Sequence, residues 1–453
     1  MPQPGRMIPV LEDLAKRAHG FRMCDAARQG AIEAVLDTVT AAAAAPPHGF
    51  GTALREAYGA GPSVLWFTGE KGSPVAAGFA NALASAALDL DDGHRASRGH
   101  PGAAVVPAVL AHADRMDSLG TSPSDEAILR AIAIGYEIGL RIAAARSFYA
   151  RTGFWGGFAA AAGAGALQGL APMEMANALA IAGETGPHMA TTTAPPAWPQ
   201  PNGSHVKEGI PWGVATGLSA VPLAAAGMTG ARDLVDHAPF FDADAILADR
   251  PGPAIRESYT KFHAACRHVH APVEALAALM ADHGLQAAQI DAIHVSAYSG
   301  ALRIPNAPRP RNLVDAQYSI PYCLALVALR GADALLPMSS ADLHDEAAEA
   351  FAAKVSISIA PELEARFPAE TPVHLRVTCG DRQIDSPVTT PSGEARDRPG
   401  WDMRLRKFRV ATRDQVAVED RDRLESAFIC LREGDLGPLR RCLADRRAPF
   451  PAL

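Results

Sequence analysis

Small and apolar residues recur at helical spacing through the first half of the chain, over residues 8–18, 26–45, 75–90, 107–113, 124–145, 158–169, 172–182 and 212–227. Gly/Pro punctuation such as APPHGFG, FTGEKGSP and GHPG separates them. Alanine favours helix and lets helix axes approach closely, so the series predicts a multilayer helical bundle. Several of these helices are apolar on most faces, which places them inside a large domain or at a subunit interface. The texture changes after about Tyr259. AQIDAIHVSAYS, AKVSISIA and TPVHLRVTC alternate like strands, while DAQYSIPYCLALVALRGAD and SADLHDEAAEAFAAK between them look helical. PSGEARDRPGWDMRLRKF then reads as turn-rich, and residues 415–445 as helical again. The expected fold is mainly α: a large all-helical domain (residues 1–262) with an inserted smaller α+β domain (263–395), and C-terminal helices (396–453) that return to the first.

Composition narrows the function. With 453 residues, 48% hydrophobic and 20% charged, the chain suits a folded globular protein with a large core. A net charge of -7 lacks the concentrated basic surface that a nucleic-acid binder needs. The six cysteines show no CxxC pair, which fits a reducing compartment. MPQPGRMIPVLEDLAKRAHG has no apolar run of the signal-peptide kind, and FWGGFAAAAGAGALQGL falls short of the roughly 20 residues of a spanning helix. These features predict a cytoplasmic protein without a membrane partner. GxGxxG after a strand, GxxxxGK[ST] and GxSxG are absent, so no dinucleotide site, P-loop or esterase elbow is indicated.

Four polar islands interrupt the apolar texture. In LDLDDGHRASRGHPGAAVVPAVLA, Asp89 and Asp92 are three apart and share a face if the helix runs on, with Asp91 pointing elsewhere; His94 and His100 follow in a loop. This reads either as a solvated connection or as a carboxylate orienting a histidine that moves protons. A metal is less favoured, because no HxH, HxxxE or Cys/His spacing completes a ligand set. WPQPNGSHVKEGIPWG puts Lys207, with His205 and Glu208, near a helix N-terminus, where a carboxylate ligand is favoured. YTKFHAACRHVHAPVEAL crowds Lys261, His263, Arg267, His268 and His270; one histidine there would read as structural, but so many cations with almost no acids read as a receptor for an anionic ligand. In NAPRPRNLVDAQYSIPYC, Tyr318 and Ser319 open an apolar helix.

Taken together, FANAL…LDLDDGH…GHPGAAVVPAVLA, RTGFWGGFAAAAGAG, KEGIPWG…GLSAVPLAAAGMTG, TKFHAACRHVHAPVEAL, DAQYSIPYCLALVALRGAD and TTPSGEARDRPGWDMRLRKF resemble the MmgE/PrpD family in order and spacing over nearly the whole chain. The resemblance implies a helical domain with an α+β insertion, a homodimer, and a site between the domains that acts on small di- and tricarboxylates without metal or organic cofactor. It carries the family's motif positions onto Asp89, with Asp92 close by, and onto His100, Lys207, Lys261, Cys266, Arg267, His270, Tyr318 and Ser319. Two departures stand out: Gly93 where many members have threonine, and Ala150 where many have a histidine, with Arg151 beside it adding positive charge.

The expected activity is a cofactor-independent dehydratase for a tri- or dicarboxylate, 2-methylcitrate first. An epimerase or decarboxylase is the alternative, and a non-catalytic carboxylate binder the remaining reading. His100, Asp89, Lys261, Lys207 and Tyr318 are the expected catalytic set. Asp92, His94, Arg267, His270, Ser319 and Arg151 are expected to bind the substrate.

Overall fold

The computed structural model describes residues 8–188 and 204–447, so the first part of the second polar island, WPQPNG, lies outside the described residues. The chain opens with α1 (Val10–His19), α2 (Asp25–Ala44) and α3 (Gly51–Tyr58), then a short hairpin, β1 (Ser63–Leu65) and β2 (Glu70–Gly72). α4 (Pro74–Ala86), β3 (Gly93–His94), α5 (Pro101–Ser118), α6 (Asp125–Ala144), α7 (Thr152–Gln168), α8 (Pro172–Thr185) and α9 (Ile210–Ala225) complete the main helical layers. α7 is the hub and packs against α5, α6, α8 and α9. Its sequence, TGFWGGFAAAAGAGALQ, explains this position, because a helix with no polar face is stable only when covered on all sides.

After α10 (Leu234–His237), α11 (Ala243–Leu247) and β4 (Ser258–Tyr259), α12 (Arg267–His283) leads into a second core. There β5 (Ala292–Ala297) is followed by α13 (Ser299–Arg303), α14 (Leu313–Gln317), α15 (Ile320–Arg330) and α16 (Glu346–Ala352). β6 (Val355–Ile359), α17 (Pro361–Glu364), β7 (His374–Cys379) and β8 (Arg382–Asp385) follow. The four strands form one sheet in the order β6-β5-β7-β8, with only the β5–β6 pair parallel. Val295, Leu375 and Val377 share a core with Leu276 and Leu324 of α12 and α15. The last helices, α18 (Trp401–Ala411), α19 (Val418–Arg432) and α20 (Gly437–Ala444), return to the first core, where Phe408 and Phe428 pack with residues of α2 such as Ile32 and Val35.

The architecture is the mainly helical one expected from the sequence, and several local readings are corrected. α3, the β1–β2 hairpin and β8 were not legible, being short and mostly polar on one side. Residues 401–411, read as part of a turn-rich stretch, are helix α18: its charges hide a buried face of Arg404, Leu405, Lys407, Phe408 and Ala411. α4 stops at Ala86 instead of running to residue 90, so Asp89 and Asp92 share no helical face.

That early stop has a partner in α18. The Lys407 ammonium, fully buried, bonds Asp37 Oδ1 of α2 at 2.7 Å and the carbonyl of Leu90 at 2.8 Å. Removing one member of such a pair strands a charge in the core. Lys407→Met should therefore cost about 3–5 kcal/mol, read from denaturant midpoints, and Asp37→Leu combined with Lys407→Met should recover most of it. A single variant as stable as the parent would contradict this role.

Candidate active site

The second polar island and the third meet the first around Asp89. Past α4, Asp89 adopts a left-handed backbone (φ 52°), and β3 pairs with β4 through Gly93↔Tyr259 and His94↔Ser258. That pairing lays the segment entering α12 beside the acidic loop. Gly93 is required there, since a Cβ would overlap the Tyr259 ring. The buried Lys261 ammonium then bonds both the Asp89 carboxylate and, at 3.0 Å, the Asp89 carbonyl.

His100 completes the centre. The amide of His94 bonds the carbonyl of Gly99 at 2.9 Å, which folds the loop back and sets His100 as the N-cap residue of α5. Its Nε2 lies 3.5 Å from Asp89 Oδ1, and its Nδ1 lies 3.4 Å from Asp91 Oδ2. Nδ1–H donates to the carbonyl of Asp92 at 3.0 Å. Both ring nitrogens thus face oxygen, the arrangement that suits a protonated imidazole. Asp91, which helical spacing set aside, is part of the centre, and its Oδ2 is buried without a hydrogen-bond partner among the described residues.

Lys207 arrives from the turn before α9. Its Nζ donates to Gln317 Oε1 at 3.2 Å, and its charge acts on Asp89. Glu208, beside it, is buried and accepts from the hydroxyl of Thr152 at 2.8 Å. Tyr318 and Cys266 lie together, Cys266 at the N-cap of α12 with its amide bonded to the Gln317 carbonyl at 2.9 Å. Glu208 and Gln317 were not singled out as site residues. One sits in a glycine-flanked turn and the other ends a five-residue helix, where no periodicity gives side-chain direction.

Other expected site residues have structural partners instead. Asp92 lies behind the centre, where Oδ1 accepts from Gly102 N and Oδ2 from Tyr136 OH, each at 2.8 Å, so it caps α5 rather than facing a substrate. His94 faces Glu257 at 3.3 Å and accepts from the amide of Ser97 at 3.1 Å. Arg267 stacks over Tyr259 at 4.4 Å and bonds Glu394 and the Ser392 carbonyl, both at 2.8 Å. His270 is fully buried, with Nε2 on the Ala265 carbonyl at 3.1 Å and Nδ1 accepting from Arg267 at 3.4 Å. Ser319 caps α15 and donates to the Ala307 carbonyl at 2.6 Å. Arg151 is the N-cap residue of α7, its Nε buried without a hydrogen-bond partner among the described residues. His205 is exposed, edge-on to Phe50 at 5.3 Å.

The electrostatics follow from crowding charges out of water. Burial opposes ionisation of Asp89, yet Lys261, His100 and Lys207 outweigh it and hold the carboxyl below its usual range. Burial also opposes the His100 cation, but the charge of the nearby Asp91, helped by Glu208, pushes it up to about 9. Lys261 is raised, Asp89 overcoming desolvation, whereas burial pulls Lys207 down despite Asp89 and Asp91. Burial pushes the Cys266 thiol up to about 12 and the Tyr318 phenol upward, keeping both neutral.

Ligand atoms of Asp89, Asp91 and His100 converge within 4.8 Å of one another, a spacing a cation would accept. The positive charge these carboxylates gather is already the Lys261 ammonium. His263, His270 and Glu274 converge similarly, but both ring nitrogens of His270 are engaged and a guanidinium abuts one of them. A separate cavity of about 300 Å³ at α1 and α6 contains none of the site residues. Its Arg17, Arg141 and Arg250 are paired with Asp249, Glu137 and Glu257.

Residues 12–244 match the MmgE/PrpD N-terminal domain, and residues 263–433 match the MmgE/PrpD C-terminal domain. A cis-aconitate decarboxylase of Aspergillus terreus and that of Aspergillus terreus strain NIH 2624 / FGSC A1156 are each 35% identical to the chain over 121 residues, 25% of this chain and 25% of theirs. The chain thus spans a quarter of the length of the curated relatives it matches. Among the described residues, no helix is long and apolar enough to cross a membrane.

The position of Asp92 has a thermodynamic signature. Burial and the nearby Asp37 raise its carboxyl from 3.8 to about 7. A folded-state value above the unfolded one contributes stability that is complete below the unfolded value and is lost as pH rises through about 7. Asp92→Asn keeps the acceptor for Gly102 and cannot ionise. The parent should therefore lose stability relative to this variant between pH 4 and pH 8, as followed by thermal melts; a constant difference across that range would contradict the raised carboxyl.

Proposed function

The chain belongs to the MmgE/PrpD family of dehydratase-, decarboxylase- and epimerase-type enzymes, and from that premise we propose that it is a lyase acting on small tri- or dicarboxylates, with 2-methylcitrate the first substrate to test. The observation that carries this reading is His100 held as a cation between Asp89 and Asp91, with the Lys261 ammonium on the same carboxylate.

A hydroxy-polycarboxylate loses water when a base removes the proton beside a carboxylate, the electron pair forms the C=C bond, and the hydroxyl leaves with a proton. His100 in its charged form is the proton donor to that hydroxyl. Lys207, whose burial favours the neutral amine, is the group that takes the carbon-bound proton. Lys261 keeps its charge and faces the carboxylate on which negative charge accumulates. Neutral Tyr318 offers a hydroxyl to orient the substrate.

Decarboxylation is the second reading, favoured by the likeness to the two cis-aconitate decarboxylases over 121 residues. There the C–C pair released with CO₂ passes into the remaining conjugated carboxylate, and His100 returns one proton to carbon. Both reactions need the same donor and the same cation.

A homodimer is part of this proposal. Trp212 and Leu223 stand exposed on α9, two large apolar side chains separated by the small Thr216 and Ser219, whose hydroxyls bond back to the helix, a face suited to a second copy. Sedimentation at micromolar concentration should show a species twice 47.4 kDa, and a sole species at 47.4 kDa would refute it.

The activity itself is tested by incubating the protein with 2-methylcitrate, citrate and cis-aconitate, following ultraviolet absorbance and CO₂. His100→Ala should lower kcat by roughly 10²–10⁴-fold. Because the donor is the protonated form, parent activity should persist at neutral pH and fall as pH rises through about 9. Folded protein giving no product with any of these substrates overturns the reading.

A further inference from the structure

The backbone before α9 is strained where nothing in the preceding mechanism needs it. Lys207 and Glu208 both have positive φ, 39° and 59°, and Gly209 follows at 71°. Left-handed conformations at two consecutive non-glycine residues are unfavourable and persist only when surrounding contacts impose them. Here the contacts come from the start of α7. Glu208 Oε2 accepts from both the amide of Thr152, at 3.2 Å, and its hydroxyl, at 2.8 Å. Thr152 Oγ1 in turn accepts from the amide of His100 at 3.1 Å. The turn and the helix are also in direct van der Waals register, since a Cβ on Gly153 would run into the carbonyl of Gly209.

We propose that Glu208 is a positioning residue that ties His100 and Lys207 into one working geometry, through Thr152 on one side and the left-handed turn on the other. This inference rests on the roles given above to His100 and Lys207. Two donors on one carboxylate oxygen fix the first turn of α7, and the Thr152 hydroxyl then holds the main chain of His100. The same carboxylate anchors the turn that carries Lys207 Nζ to Gln317. A neutral residue of the same shape would keep part of the hydrogen bonding and lose the charge. The groups acting electrostatically on His100 are Asp91, Asp89, Lys261 and Glu208, so removal of the Glu208 charge is also felt at the imidazole.

The test separates geometry from charge and does not depend on activity alone. In full-length protein labelled with ¹³C at histidine Cε1, the His100 signal is assigned by its loss in His100→Ala and titrated. Glu208→Gln should lower the His100 midpoint by about 1 pH unit. If a substrate is turned over, the alkaline limb of its kcat profile should move down by the same amount, with kcat at neutral pH falling about 10- to 100-fold and KM changing little. Thr152→Val, which cuts the hydroxyl link but leaves the Glu208 charge, should lower kcat similarly while Thr152→Ser restores it. An unchanged His100 midpoint in folded Glu208→Gln protein overturns the proposal, as does parental kcat in Thr152→Val. Should the parent protein prove inactive on every carboxylate tried, the titration still decides the Glu208 assignment, so the two readings fail separately.

Discussion

Two buried ammonium groups hold one irregular stretch of backbone, and most of the site depends on them. Lys261 reaches the carboxylate and carbonyl of Asp89, and Lys407 reaches the next carbonyl, that of Leu90. An isolated charge in an apolar interior is costly, so each lysine must find oxygen, and the loop after α4 supplies it. The lysines come from different parts of the chain, one from the segment that leads into α12 and the other from α18. The acidic loop is therefore where the N-terminal helices, the entry to the sheet-containing part and the C-terminal helices are joined. Breaking α4 at Ala86 exposes the backbone oxygens that make this possible.

That constraint also sets the chemistry. With Lys261 on Asp89, the carboxylate stays ionised, and His100 is drawn to it and to Asp91 as a cation. Lys207, tied to a neutral amide oxygen at Gln317 rather than to a carboxylate, is left with more of its desolvation cost uncompensated. Two lysines in one site thus differ in character: one is a fixed charge, the other is moved toward the neutral amine. Differences of this kind, imposed by environment on like groups, are how a single site provides both an acid and a base.

The sequence carried the layered helices well, because alanine-rich segments with Gly/Pro breaks have few alternatives to close helix packing. It also carried Asp89, His100, Lys207 and Lys261 as residues to watch, through charge placed beside apolar runs and through family resemblance. It did not carry direction. Asp91 was discounted by helical spacing that does not apply past Ala86, and Glu208 sits in a left-handed turn no periodicity describes. Ser319 looked functional because it opens an apolar helix, and His270 because it stands among cations at a family motif position. The first answers an unpaired helix-end amide, that of Tyr322, and the second satisfies Ala265 and Arg267 inside the core. A buried polar residue signals an unmet hydrogen bond nearby, and only geometry tells whether the partner is backbone or substrate.

The departures at Gly93 and Ala150 are understandable in the same terms. Gly93 makes room for the Tyr259 ring, which lies beneath Arg267 and near Arg95, both of them bonded to Glu394. This wall is closed by an aromatic ring and a satisfied ion pair, leaving Lys261 as the fixed positive charge beside Asp89. Ala150 is fully buried, and its carbonyl accepts from Arg146, which also bonds the carbonyls of Ala143 and Ser97. Position 150 is thus part of a structural knot that braces the 94–99 turn rather than a source of a titratable side chain. Epimerisation needs acid–base groups on both faces of one carbon, so at this site it would have to set Lys207 opposite His100. Decarboxylation needs one firm proton donor beside a fixed cation, the form that His100 and Lys261 have; elimination needs a base as well, the part proposed for Lys207.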